Sequence, residues 1–342
     1  MNIKDIAVKA KVSATTVSNV LNGNYAKVSP ATVEKIRGII EKYNYVPKAS
    51  ARNLAAKNTK IIGVILPGVL FQNENPHNAL LVSAIERLIR SQGYYMLLCC
   101  ADTMENAVTT LTMWDVDGAI ITGYVEDEMA SLLQASRRNF PIVLIDSYIA
   151  HEYPRCASVR LNDYKGGYTA GRYLFTCGHR NMVFVGTSYQ ISGVTYQRFK
   201  GFRDALKEKG IDFSESAFME CEMTYAAGVE AGKKICDINF SRTPENRITA
   251  VFAASDLTAV GIMEGANLNG VSVPRDLSVI GFDNINFSMY TTPKLTTIGQ
   301  DIVQKAEQAA SLLLDTIRGN NSCPALTVID PGLIERQSVW RM

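Results

Sequence analysis

From residue 61 onward, nine short apolar runs rich in β-branched residues alternate with longer segments of helical spacing. The runs are IIGVILP (61–67), YYMLLCC (94–100), GAIITG (118–123), PIVLID (141–146), ASVRL (157–161), MVFVG (182–186), FMECEM (218–223), AVFAAS (250–255) and LSVIGFD (277–283). Between them lie segments such as NALLVSAIERLIRSQG (78–93), with apolar residues three and four apart. Strands that read as continuous apolar runs are buried on both faces, and strands separated by helices pair in parallel because each crossover helix lies back on the sheet. Nine or more strands over about 280 residues predict two such sheets rather than one.

Residues 1–60 are built differently. They hold eleven Lys and Arg against Asp5, Glu34 and Glu41, a net charge of +8, while the rest of the chain carries −6. A basic head on an acidic body suggests a polyanion-binding module joined to a part with another task; a solvated lysine-rich face is the blander reading of the charge alone. Asn2 and Asp5 have the spacing of a reciprocal helix cap, predicting a first helix to about Lys9. Ser13 caps a second, Ala14 to about Leu21, which turns Val17, Val20 and Leu21 inward and Ala14, Thr15, Ser18 and Asn19 outward. Asn22-Gly23 ends it, and Ser29-Pro30 opens a third helix with Val33, Ile36, Ile40 and Tyr43 on its apolar stripe. Two helices joined by a short turn, with a third packed on them, form a helix-turn-helix; a three-helix protein-binding unit is the competing arrangement. The slim outward face of the second helix suits an approach to base edges in a major groove.

The stretches IKDIAVKAKVSATTVSNVLNG, VSPATVEKI and YNYVPKASARNLA resemble the head of the lactose/galactose repressor family of bacterial transcription regulators. LNDYKGGYTAGRYL, GHRNMVFVG, RFKGFRDAL, AVFAASDLTAVGIM, VPRDLSVIGFDN, TTPKLTTIGQ and LIERQSV are similar to that family's effector domain, so the resemblance spans essentially residues 2–338. It implies an all-α helix-turn-helix head plus an α/β two-lobed periplasmic-binding-protein-like effector domain with three chain crossings between the lobes. The implied divisions are a DNA-binding domain at 1–46, a hinge helix at 47–59 and an effector domain at 60–340. Within the last, one lobe takes 60–160 and 292–322 and the other 161–291 and 323–340. Carried over by position, the DNA-contacting residues are Ser13, Ala14, Thr15, Thr16 and Asn19 of the head and Arg52 and Leu54 of the hinge, with Leu54 wedged into a base step. The effector contacts fall on His77, Asn78, Ser147, Ser192, Arg198, Met223, Asp256 and Asp283.

The residues themselves also indicate a polar cleft. Ligands of open α/β sheets bind beyond the carboxyl ends of strands, and Asp146, Asn162-Asp163, Ser255-Asp256 and Asp283-Asn284 all stand at such ends. Each singly is more often a cap or loop group. A carboxylate and the Arg198 guanidinium in one cleft can hold the vicinal hydroxyls of a small polyol. Two departures from the family pattern stand out. His77-Asn78 replaces a common aromatic pair, and Leu161-Asn162 replaces a common Asp-Asn, so the cleft is expected to lack stacking rings and one carboxylate.

Other function classes find little support. G-x-x-x-x-G-K-[ST], G-x-S-x-G and H-E-x-x-H are missing from the sequence, and its three histidines lie in unrelated contexts, so neither an enzyme nor a metal or cofactor site is expected. The seven cysteines are scattered and are expected to be reduced. No apolar run reaches the length of a membrane span and the N-terminus lacks signal-peptide features, predicting a cytoplasmic regulator. The basic head also weighs against the alternative, a sugar-binding protein of a transport or sensing system without a DNA role. The expected partners are a pseudo-palindromic operator, a small carbohydrate effector and a second copy of the chain, the dimer face including Leu80–Leu88. A chain ending soon after LIERQSVW, without heptads, suits a dimer rather than a zipper-linked tetramer.

Overall fold

Asn2 starts the first helix, α1 (Ile3–Ala10), by accepting from the amides of Lys4 and Asp5, while Asp5 accepts the Asn2 amide at 2.7 Å. This reciprocal cap satisfies N–H groups that the helix leaves orphaned. Ser13 caps α2 (Ala14–Leu21) at the Thr16 amide, 3.1 Å away, and Ser29 with Pro30 opens α3 (Pro30–Lys42). Gly23, at φ +75°, provides the left-handed residue after α2. Ile6, Ala10, Val17, Val20 and Ile36 are buried against one another and form the centre of the head. Tyr43 departs from the expected stripe: it is 44% exposed, and Lys9 Nζ donates to its hydroxyl at 3.2 Å. Tyr45 packs on the core instead.

The computed structural model describes residues 1–46, 58–67, 75–101, 103–123, 140–148, 155–188, 193–213, 217–320 and 325–342. They form two compact units, Met1–Lys60 and Ile61–Met342. The expected hinge residues Arg52 and Leu54, and Ser192, lie outside the described residues.

The second unit contains the two expected sheets. In the first, β1 (Ile61–Pro67), β2 (Tyr95–Ala101), β3 (Gly118–Thr122), β4 (Ile142–Ile145), β5 (Cys156–Leu161) and β11 (Leu326–Ile329) lie in the order β2-β1-β3-β4-β5-β11, all parallel. In the second, β6 (Met182–Gly186), β7 (Phe218–Glu220), β8 (Ala250–Ala253), β9 (Ser278–Asp283), β10 (Thr296–Gly299) and β12 (Gly332–Ile334) lie in the order β7-β6-β8-β9-β10-β12, with only β12 antiparallel. The orders correspond position for position, so β4 and β9 occupy equivalent places.

Two assignments to lobes need correcting. Residues 296–299 belong to the second sheet, because Thr296–Gly299 pair in register with Ile280–Asp283. Residues 326–329 belong to the first, because Leu326–Ile329 pair with Ser158–Leu161. The chain therefore passes between sheets at 161–163, at 299–302 and at 329–332. Helix α11 (Ile302–Ile317) packs on β3, β4 and β5 and on α4 (Pro76–Ser91), placing it with the first sheet.

Near-complete burial of β3, β4, β6, β8 and β9 matches their uninterrupted apolar sequences. None of the six described cysteines is in a disulfide; Cys177, Cys221 and Cys236 are buried, while Cys100 lies exposed on the edge strand β2. Among the described residues no helix is long and apolar enough to cross a membrane.

Helices α6 (Asp163–Thr176) and α7 (Gly193–Lys207) approach backbone to backbone. A Cβ on Gly167 would overlap the Arg198 carbonyl, and one on Gly201 would overlap the Tyr164 carbonyl. These two glycines set the distance between Asp163 and Arg198. Gly167→Ala is expected to destabilise the protein by about 1–3 kcal/mol, as overpacking of rigid backbone does, measured by urea unfolding. An unchanged midpoint would show that the helices can part without cost.

Candidate functional site

In the head, α2 presents the residues expected at DNA. Thr15 is exposed and Ala14, Thr16, Ser18 and Asn19 are half-buried, while Val17 and Val20 point into the core. Thr16 and Ser13 also share a hydroxyl–hydroxyl bond of 2.9 Å, so both help to fix the start of the helix. Arg37 donates to the Tyr25 hydroxyl at 2.8 Å and Lys9 lies 4.7 Å above the Tyr43 ring. Lys9, chiefly through its hydrogen bond, lowers the pKa of that exposed phenol.

In the second unit the polar strand ends meet around Arg198. Arg198 is 5% exposed; its guanidinium lies 3.6 Å from the Phe282 ring centre and donates from Nε to Asp163 at 2.8 Å. Nη1 donates to the Ala254 carbonyl and stands 3.8 Å from Asp283 Oδ1. The other Asp163 oxygen accepts from the Tyr148 hydroxyl at 2.8 Å. Asp163, first residue of α6, thus stands as a carboxylate two positions beyond Leu161, engaged by Arg198 and Tyr148. Burial drives Asp163 upward in pKa, against the opposing pull of Arg198. Burial also raises the Tyr148 phenol, with Asp163 adding to it.

Asp146 and Asp283 end the equivalent strands β4 and β9, and both adopt left-handed backbone, at φ +54° and +116°; Asn284 follows at +60°. Such conformations cost roughly 1–3 kcal/mol and collect at functional sites. Lys305 of α11, fully buried, holds both oxygens of Asp146 at 2.8 and 2.6 Å and also donates to Gln300 Oε1. Gln300 Nε2 donates to Asp283 Oδ1 at 2.6 Å. Burial alone would raise Asp146, but Lys305 and then His77 bring it below the usual carboxylate value.

The expected effector residues are only partly brought together. Arg198 and Asp283 meet directly, and His77 lies close enough to act on Asp146. Nδ1 of His77 sits 3.2 Å from Asn78 Oδ1, while its Nε2 is buried with no hydrogen-bond partner among the described residues. Ser147 is buried and donates to the Ile145 carbonyl, and Met223 is half-buried after β7. Asp256 is fully buried at the start of α9 (Asp256–Leu268), where its oxygens accept from the Ile285 amide and the Thr297 hydroxyl. In this arrangement it organises the end of β9.

Lys305, Gln300 and Tyr148 were absent from the sequence expectations. A signal for Lys305 existed: it lies on the buried stripe of α11 with Ile302, Ala306, Ala309 and Leu313, where a lysine requires a partner. Among the described residues no cluster of metal-ligating side chains occurs.

Asp256 yields a prediction in pH. Burial first and Asp283 second raise its pKa well above 3.8, so the folded chain binds this proton more tightly than the unfolded one. Its contribution to stability therefore falls as pH rises above that value. Asp256→Asn is expected to remove this fall, so the melting temperature of the variant should gain on wild type with rising pH. Parallel curves at every pH would refute it.

Comparison with known proteins places this geometry in context. Residues 2–48 match the model described as bacterial regulatory proteins, lacI family, and residues 171–339 match the periplasmic binding protein-like domain. The HTH-type transcriptional repressor PurR of Yersinia enterocolitica is 34% identical over 342 residues, covering 98% of this chain and 96% of that one. The HTH-type transcriptional regulator DegA of Bacillus subtilis is 30% identical over 344 residues, with 98% and 97% covered. The lac repressor dimer bound to operator and the anti-inducer ONPF shares the fold at a TM-score of 0.85, with 24% identity and 99% of each chain covered. A LacI family regulator from Enterococcus faecium with bound ribose gives a TM-score of 0.70 at 28% identity, over 82% of this chain and 99% of that one. On this full-length similarity, the protein belongs to the lacI family of bacterial regulatory proteins, DNA-binding transcriptional regulators rather than enzymes.

Proposed function

We propose that the protein is a cytoplasmic, homodimeric transcriptional repressor whose affinity for a pseudo-palindromic operator is set by a small uncharged polyhydroxyl effector, a sugar or sugar derivative, held between the two sheets. The observation carrying this reading is the Arg198–Asp283 pair. Arg198 Nη1 stands 3.8 Å from Asp283 Oδ1, and neither Arg198 Nη2 nor Asp283 Oδ2 has a hydrogen-bond partner among the described residues, so a guanidinium and a carboxylate with donor and acceptor capacity to spare lie together at the strand ends. Neighbouring hydroxyls of a sugar match such a pair. Charge supports a neutral ligand: Arg198 already faces Asp163 and Asp283, and Lys305 already faces Asp146. The ribose in the Enterococcus faecium relative supports the same class.

Coupling between sites needs only a ligand whose affinity differs between two lobe arrangements, and a difference of about 1–3 kcal/mol suffices for a useful switch. The domain divisions at 46/47 and 59/60 belong to this proposal, with residues 47–59 as the hinge that contacts DNA through Arg52 and Leu54. The dimer face includes α4, where Leu80 is 38% exposed.

D-ribose, D-galactose and cellobiose are expected to include a ligand that raises the melting temperature, by mass action worth about 2.7 kcal/mol at a hundred times Kd, whereas ribose 5-phosphate does not. Asp283→Asn and Arg198→Met should abolish that shift. A sugar shift surviving in both variants would remove the cleft assignment. At the head, Asn19→Ala should cost about 1–3 kcal/mol on the preferred operator and relax base preference at one position per half-site, read by selection from a randomised DNA pool. An unchanged selected sequence would exclude Asn19 from base reading.

A further inference from the structure

Asp146 and Asp283, the carboxylates at equivalent places in the two sheets, are joined by an unbroken run of side-chain hydrogen bonds through Lys305 and Gln300. An ammonium has three donors and no acceptor. Two of the Lys305 donors go to Asp146 and one to Gln300, so none remains for a ligand. Since Lys305 can only donate, the Gln300 atom facing it must be the carbonyl oxygen, and Nε2 is thereby turned to Asp283. Gln300, 7% exposed, sits on the 299–302 crossing between the sheets. A buried ion pair is a costly way to stabilise a core, since apolar residues of similar volume often do as well or better. Its presence on the apolar face of α11 therefore suggests a geometric role.

We propose that Lys305 is a positioning residue for the cleft: anchored by Asp146 of the first lobe, it orients Gln300, which sets Asp283 of the second lobe and ties the lobes together at this crossing. Asp283 is then aimed at the effector by a contact made in the other lobe, so closure of the lobes and the shape of the binding site change together. The proposal rests on the reading of the cleft as the effector site, but its primary test needs no ligand.

Hydrogen–deuterium exchange at residues 299–302 is compared in the full-length protein and in three variants whose circular dichroism matches it. Gln300→Met removes both bonds. Gln300→Glu keeps an acceptor for Lys305 but sets a second carboxylate against Asp283. Lys305→Met with Asp146→Asn removes the pair without stranding a charge. All three are expected to exchange about tenfold faster at this crossing. Wild-type exchange in all three overturns the proposal. Wild-type exchange in Gln300→Glu with fast exchange in Gln300→Met overturns the tie to Asp283, since Lys305 alone would then hold the crossing. The same proteins are scanned with D-ribose. A D-ribose shift present in wild type and lost in Gln300→Met supports the positioning role, and one retained in full opposes it. No D-ribose shift in wild type counts against that sugar as effector, while the exchange data still decide the role of Lys305.

Discussion

A guanidinium is among the costlier groups to remove from water, and Arg198 has been removed almost completely. The cost is offset only because Asp163, the Ala254 carbonyl and the Phe282 ring surround it, with Asp283 just beyond. Much of the second unit can be understood from this requirement. Asp163 must begin α6 and Arg198 must lie early in α7, and those helices must touch closely enough for the two side chains to meet. Gly167 and Gly201 allow that approach. Ala254 and Phe282 come from the ends of β8 and β9, so the sheet order is needed as well.

The head depends on smaller interactions. Its buried centre is a handful of aliphatic residues, and the caps at Asn2, Ser13 and Ser29 contribute about 1 kcal/mol each in typical cases. With so little core, the outward face of α2 can be written for its partner rather than for the fold. That division accounts for a helix whose apolar residues are few and whose remaining letters are Ala, Ser, Thr and Asn.

Much of this was legible in the sequence. The caps, the three head helices and nine strands follow from residue types and periodicity, because each is decided within a few residues. Strands β10, β11 and β12 were not legible: TTIG, LTVI and GLI are too short to show a period, and their sheets are decided by partners far away in sequence. The cleft divided in the same way. Asp146, Asp163, Arg198 and Asp283 drew notice at strand and helix ends, but Lys305 lay mid-stripe in a helix, where only the contact with Asp146 reveals its use. Asp256 shows the same limit from the other side. Its position beyond a strand suggested a ligand contact, whereas its hydrogen bonds turn inward to Thr297 and Ile285.

The left-handed backbone at Asp146, Asp283 and Asn284 has a consequence for how such a cleft diversifies. Asp, Asn and Gly tolerate that conformation and β-branched or bulky residues do not. The strand ends are therefore restricted by backbone geometry to a small polar alphabet, whichever molecule is bound. Exchanges within that alphabet alter charge and hydrogen bonding while leaving the chain path intact. A lineage carrying this fold can thus change its chemical signal by single substitutions at positions where polarity is already enforced.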